Sequence, residues 1–285
     1  MASGDPGLRA NLVGLAANVA LAVAKFVVGA LAGSAALVAD GFNSAGDVLA
    51  TAVATGAYRF GAVPPDDNHP YGHGNAESLA GLGIGLLLLA TGAFVAWEGF
   101  RVLVEGPRPP PEPLAAAVAL GTAAVKGALA VYVRRVGQQL NSPTLLASAA
   151  DHRADVLIAI VVTAGIVGAQ FGAPWLDPLA AALVGLWIVG VALTPIRENL
   201  ATLMDESPPE IEQAVRDAVI HPAVLAVGRA RVHPLGSYYV VDLTVVVDGE
   251  RSLREVHALG REIAAGVRER VPHVQEVRVH ARPPE

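Results

Sequence analysis

From Leu12 to Leu31 the chain is almost wholly Leu, Ala, Val and Gly, interrupted by Asn18 and Lys25. At 1.5 Å rise per residue, about 20 residues of helix cross the hydrocarbon core of a bilayer. The same pattern predicts spans at Ala36–Tyr58, Leu79–Ala96, Leu114–Val133, Leu145–Ala169 and Leu179–Leu193. Turn chemistry separates them. Gly33-Ser34 makes a minimal turn, Pro64, Pro65 and Pro70 make residues 59–75 a loop, and the proline-rich stretch Gly106 to Pro113 cannot continue a helix. Phe171 to Pro178 is a further short turn, and Pro195 is expected to close the last span.

Past Leu203-Met204-Asp205-Glu206 the periodicity changes to that of a soluble domain. It predicts a helix over Pro209–Val219, strands over Ala223–His233 and Tyr238–Val247, an amphipathic helix over Ser252–Arg270 and a last strand over Val274–His280. The expected fold is an α-helical membrane protein of six transmembrane helices followed by a small cytoplasmic α+β (ferredoxin-like) domain, divided into residues 1–204 and 205–285.

Composition narrows the chemistry. More than half of the 285 residues are hydrophobic and 16% are charged, as membrane proteins are. Cysteine is absent, which excludes disulfides, thiolate metal sites and cysteine nucleophiles. No basic tract suggests a nucleic-acid partner. The only lysines are Lys25 and Lys126, a scarcity that reads as coding bias; Lys25 is expected to pack in the bundle or snorkel to an interface.

Six spans put both termini on one side. Arg9, Arg59, Arg134, Arg135 and Arg197 fall on that face, against Arg101 and Arg108 on the other, so the positive-inside rule places both termini in the cytoplasm. The apolar run after Ala10 is too long for a cleavable signal and is expected to stay as a span. A bacterial inner membrane is the expected location.

Within this apolar frame two short stretches carry the chemistry. Asn43 and Asp47 are four residues apart on the second span, and Asp151 and Asp155 repeat that spacing on the fifth. Each pair shares one helix face, so two such helices face to face would aim four oxygen-bearing side chains at one point. An ionisable group at membrane depth marks a functional site, and converging oxygens suit a hard cation. Asp40 lies nearer a span end, where solvation is easier, and His152 is offset by roughly 100° from Asp151; neither is placed among the ligands. In the loop, Asp66, His69 and His73 offer a carboxylate and two imidazoles for a transition metal, with a solvated polar loop as the competing reading.

The stretches Ala39 to Asp47, Asp66 to Glu77 (DDNHPYGHGNAE), Asp151 to Asp155 and Leu203 to Glu206 resemble, in this order, those of the cation diffusion facilitators over nearly the whole chain. The resemblance implies a homodimer in lipid that exports divalent metal ions in exchange for protons, with Asn43, Asp47, Asp151 and Asp155 as the transport site. Zinc-transporting members usually carry His among these four; the all-oxygen set here resembles the manganese branch, with Zn²⁺ as the alternative. Three carboxylates held together without a cation cannot all stay ionised cheaply, so protons are the expected counter-ion. The resemblance also implies a second metal site at Asp66, His69 and His73, and metal binding in the C-terminal domain near Asp242, His257 and His280. Some members carry Lys or Arg where this chain has Asn75, leaving Asp205 without that partner. Two other classes remain open here, a membrane metalloenzyme and a membrane-anchored metal sensor.

Overall fold

The computed structural model describes residues 6–106, 109–140, 142–236 and 238–284; Arg108, counted above for topology, lies outside them. Six long helices come first: α1 Pro6–Leu31, α2 Ala35–Gly61, α3 Asn75–Glu105, α4 Pro113–Gln139, α5 Pro143–Gln170 and α6 Leu176–Leu203. Then follow α7 Pro209–Ala218, β1 Val224–Leu235, β2 Tyr238–Val247, α8 Leu253–Arg270 and β3 Val274–Arg282. The α-β-β-α-β order is the expected one.

Five of the six long helices are apolar enough to cross a membrane by length and composition. The other, α2, is long enough, but Asp40, Asn43, Ser44 and Asp47 lower its hydropathy. Several boundaries differ from expectation, the ends of the third and last spans most. The third span does not end at Ala96: α3 continues to Glu105, with Arg101 paired one turn back to Glu98 at 2.6 Å. Nor does Pro195 close the last span, because α6 runs through it to Leu203. A proline inside a helix removes the backbone bond to the carbonyl four residues back, here that of Val191, a loss that membrane helices tolerate; one turn further on, Asn199 Nδ2 donates to the Pro195 carbonyl at 2.7 Å.

The chain forms two compact units, Met1–Ala52 with Ile84–Thr194, and Val53–Gly83 with Pro195–Glu285. The core of the first is built largely from alanines, among them Ala36, Ala39, Ala115, Ala119, Ala180 and Ala181, with Leu37, Val162 and Ile166. Lipid offers no hydrophobic drive between helices, so close packing of small residues holds them. A Cβ on Gly92 of α3 would stand 2.8 Å from the Val189 nitrogen and 2.9 Å from the Gly185 carbonyl of α6. Large side chains such as Val19, Val23, Leu86, Phe94, Leu157 and Leu186 point outward. The α1–α2 turn is tied to α6 through a buried acid: Asp177 accepts from Ser34 Oγ at 2.6 Å and from the Ala35 nitrogen at 2.7 Å. Asp177 thereby satisfies the start of α2, where backbone N–H groups lack helical partners.

In the second unit β2 is the middle strand, antiparallel to β1 and parallel to β3, and α8 makes the crossover that a parallel pair requires. Val241, Leu243 and Val245 of β2 pack with Leu259, Ile263 and Val267, which recur every fourth residue on α8. A capping box of Ser252 and Glu255 starts α8, and its hydrogen bonds hold the Glu255 carboxyl below the usual range.

Leu243→Ala should destabilise the α+β domain by about 2–5 kcal/mol, read as a lower unfolding midpoint of its sheet. Gly92→Val should prevent α3 from seating on α6, read as loss of folded protein in the membrane fraction.

Candidate metal sites

The α2 and α5 helices meet through their polar residues. Asn43 Nδ2 donates to Asp155 Oδ1 at 3.1 Å, and the other carboxylate oxygen of Asp155 accepts from Lys126 Nζ of α4. Successive spans run in opposite senses, so the residue four further along α2, Asp47, lies toward the same end as the residue four back along α5, Asp151. Asp47 is half-buried and Asp151 exposed, and among the described residues neither makes a hydrogen bond or ion pair to the Asn43–Asp155 pair. Two members of the predicted quartet are thus joined directly, and the other two sit one turn away on the same helices.

Four buried residues around this point carry more than the sequence suggested. Asp40 is not near solvent: it is 1% exposed, with Lys25 Nζ of α1 at 2.8 Å from its Oδ2. The same ammonium donates to Ser44 Oγ at 2.9 Å, so Lys25 is buried against α2 and does not snorkel. Lys126 is fully buried as well. The usable signal was there, since a lysine in the middle of an apolar span needs an acid. His152 is 5% exposed, with Nδ1 3.9 Å from Asp155 Oδ2 and without a hydrogen-bond partner among the described residues.

In the loop the predicted triad comes together. One atom each from Asp66, His69 and His73 lies within 4.8 Å of the others, and this is the one such group of His and acid ligands among the described residues. The Asp66 side chain closes a turn, accepting from the backbone nitrogens of His69 at 2.6 Å and Asn68 at 3.0 Å. Those bonds, the His69 N–H above all, hold its carboxyl below the usual range. His73 Nδ1 lies 3.3 Å from the Val63 carbonyl. A carbonyl only accepts, so Nδ1 carries the hydrogen and Nε2, 3.4 Å from Asp66 Oδ2, keeps its lone pair for a metal. The loop rests on the β1–β2 hairpin: Tyr238 Oη donates to the Tyr71 carbonyl at 2.9 Å, and Gly72, at φ +85°, leaves no room for a Cβ beside that hydroxyl.

Asp242, His257 and His280 are exposed on β2, α8 and β3, and within one chain they form no close ligand group. Asp242 stands in register between Arg231 and Arg278. Asp205, at φ +58°, pairs with His233 Nδ1 at 2.6 Å, a partner that the sequence did not reveal. Asn75 Oδ1 is buried without a partner among the described residues.

Residues 12–204 match the cation efflux transmembrane domain, and residues 205–284 match the cation efflux protein cytoplasmic domain, the family's dimer-forming domain. The chain belongs to the cation efflux family. The cation diffusion facilitators, to which the motifs pointed, are this family, whose members transport metal cations across membranes and are not enzymes. Metal tolerance protein C1 of Arabidopsis thaliana is 32% identical over 297 residues, covering 98% of this chain and 63% of that protein, so the chain spans under two thirds of that relative's length. Manganese efflux system protein MneS of Bacillus subtilis (strain 168) is 30% identical, covering 92% of this chain and 91% of that one. Its counterpart MneP from the same organism is 29% identical, covering 96% and 95%. Among solved structures, a nickel form of the MamM C-terminal domain covers 27% of this chain and all of that one, at 19% identity and a TM-score of 0.26, too low to carry weight.

His73→Ala or Asp66→Ala should remove one equivalent of tightly bound divalent metal per chain, checked by metal analysis after dialysis. The Asp66 turn, whose carboxyl is lowered, should hold at neutral pH and open only as pH falls below the ordinary carboxylate value through the lowered one, checked by amide exchange of His69.

Proposed function

We propose that this chain exports Mn²⁺ from the cytoplasm in exchange for protons, as a homodimer in a bacterial inner membrane with both termini cytoplasmic. Residues 1–204 form the transport domain and residues 205–285 the cytoplasmic domain. Asn43, Asp47, Asp151 and Asp155 bind the metal in transit. The observation that carries this reading is the Asn43–Asp155 hydrogen bond, which joins the two helices through oxygen-bearing side chains of the proposed set. Oxygen donors suit Mn²⁺, whose weak place in the affinity order makes ligand type and room decisive. The relatives named as manganese efflux proteins support the same metal.

The chemistry needs no nucleotide. Carboxylates drawn together repel one another until a cation or protons neutralise them. Protons arriving from outside release the metal, and metal arriving from inside releases the protons. Helix rocking exposes the site to each side in turn. Asp66, His69 and His73 hold a second, resident metal at the loop, and Asp242, His257 and His280 are candidates for metal held between two copies of the cytoplasmic domain.

One observation favours a second reading, Zn²⁺. His152 is buried beside Asp155 with a free ring nitrogen, and imidazole suits zinc.

Uptake into proteoliposomes under an imposed pH gradient decides between them. Mn²⁺ should be taken up faster than Zn²⁺, and Asp47→Ala should slow uptake by roughly a hundredfold or more, as loss of a group acting directly on the transported charge does. Equal or faster Zn²⁺ uptake would contradict the metal assignment, and uptake unaffected by Asp47→Ala would contradict the site.

A further inference from the structure

Both lysines of the chain lie in its long apolar helices with fully buried side chains. A buried ammonium is costly unless an acid faces it, and each has one. Lys25 meets Asp40, and Lys126 meets Asp155. The two pairs differ in what the acid is for. Asp40 stands outside the proposed ligand set, whereas Asp155 belongs to it.

Asp155 is occupied on both oxygens, by Lys126 on one and by the Asn43 amide on the other. A divalent cation needs the reverse arrangement, with the oxygen of Asn43 turned inward and a lone pair of Asp155 free. Lysine is suited to yield, being a compact charge on a flexible four-carbon stem. The charges fit as well. Lys25 offsets Asp40 and Lys126 offsets Asp155, so Asp47 and Asp151 remain without a lysine, two negative charges against one divalent ion.

We propose that Lys126 is a tethered counter-ion of the transported metal, holding Asp155 between transport events, withdrawing as metal binds and returning as it leaves. The proposal rests on the reading of Asn43, Asp47, Asp151 and Asp155 as the transport site. Lys126 then weakens metal binding and speeds release, because its charge competes with the metal for one carboxylate. A lysine that only pinned α4 to α5 would do neither, and neutralising it would loosen the site.

The test is Mn²⁺ binding to the full-length protein at one mildly alkaline pH, with His69→Ala and His73→Ala removing the loop site and His257→Ala and His280→Ala removing the candidate site of the cytoplasmic domain. Lys126→Gln, which keeps a hydrogen-bond donor, and Lys126→Met should each bind Mn²⁺ roughly tenfold or more tightly than the parent. Lys126→Arg, which keeps the charge, should bind no tighter. Turnover in proteoliposomes should fall in the two neutral variants. Should a neutral variant be unstable without metal, its Mn²⁺-induced rise in unfolding temperature should exceed the parent's. Unchanged or weaker binding, or no larger rise, would overturn the proposal. Asp155→Asn separates the two readings. If it abolishes binding while Lys126→Gln changes nothing, the counter-ion fails alone; if it leaves binding intact, the transport-site reading fails.

Discussion

A carboxylate buried in a membrane protein has to be neutralised, and the architecture of the helical region follows from how Asp155 is. Its two oxygens draw α4 and α2 onto α5 through Lys126 and Asn43. A parallel arrangement one layer away draws α1 onto α2 through Lys25, Asp40 and Ser44. Through them α2 is tied both to α1 and to α5. The packing around them is alanine and glycine, which lets the backbones approach closely enough for such short polar contacts.

The loop site follows a different logic. It is built by local turns and needs no membrane: Asp66 closes its own turn, and Val63 orients the His73 ring. Tyr71 and Gly72 then lean on the β1–β2 hairpin, so the loop is held by the same strands whose other faces make the domain core. The pair Asp205–His233 adds a further contact in that unit, at the end of the last long helix. It gives Asp205 a partner within its own unit, where the absence of a basic residue at Asn75 had left none in view.

Much of this was legible in the sequence because it is periodic or local. The long helices declare themselves by apolar length, the domain strands by alternation, and the start of α8 by Ser252 and Glu255. The loop triad stood out as a run of ligand types with a solvated loop as the competing reading, and the structure brings the three side chains together. What was not legible depends on contacts between distant segments. Lys126 looked like an accident of composition because Asp155 lies on another helix, and Asp177 drew no notice because its partners, Ser34 and Ala35, lie far away in the chain. Pro195 misled because the rule that proline stops a helix weakens in a membrane bundle, where one missing backbone bond does not end the helix and α6 runs on to Leu203.

The central claim is that the metal in transit is held at α2 and α5 by oxygen alone. Pulsed electron paramagnetic resonance of Mn²⁺ bound to the protein lacking His69, His73, His257 and His280 tests it most directly. The account predicts no coupling to a directly bound imidazole nitrogen. A directly bound nitrogen, which in that background points to His152, would contradict it.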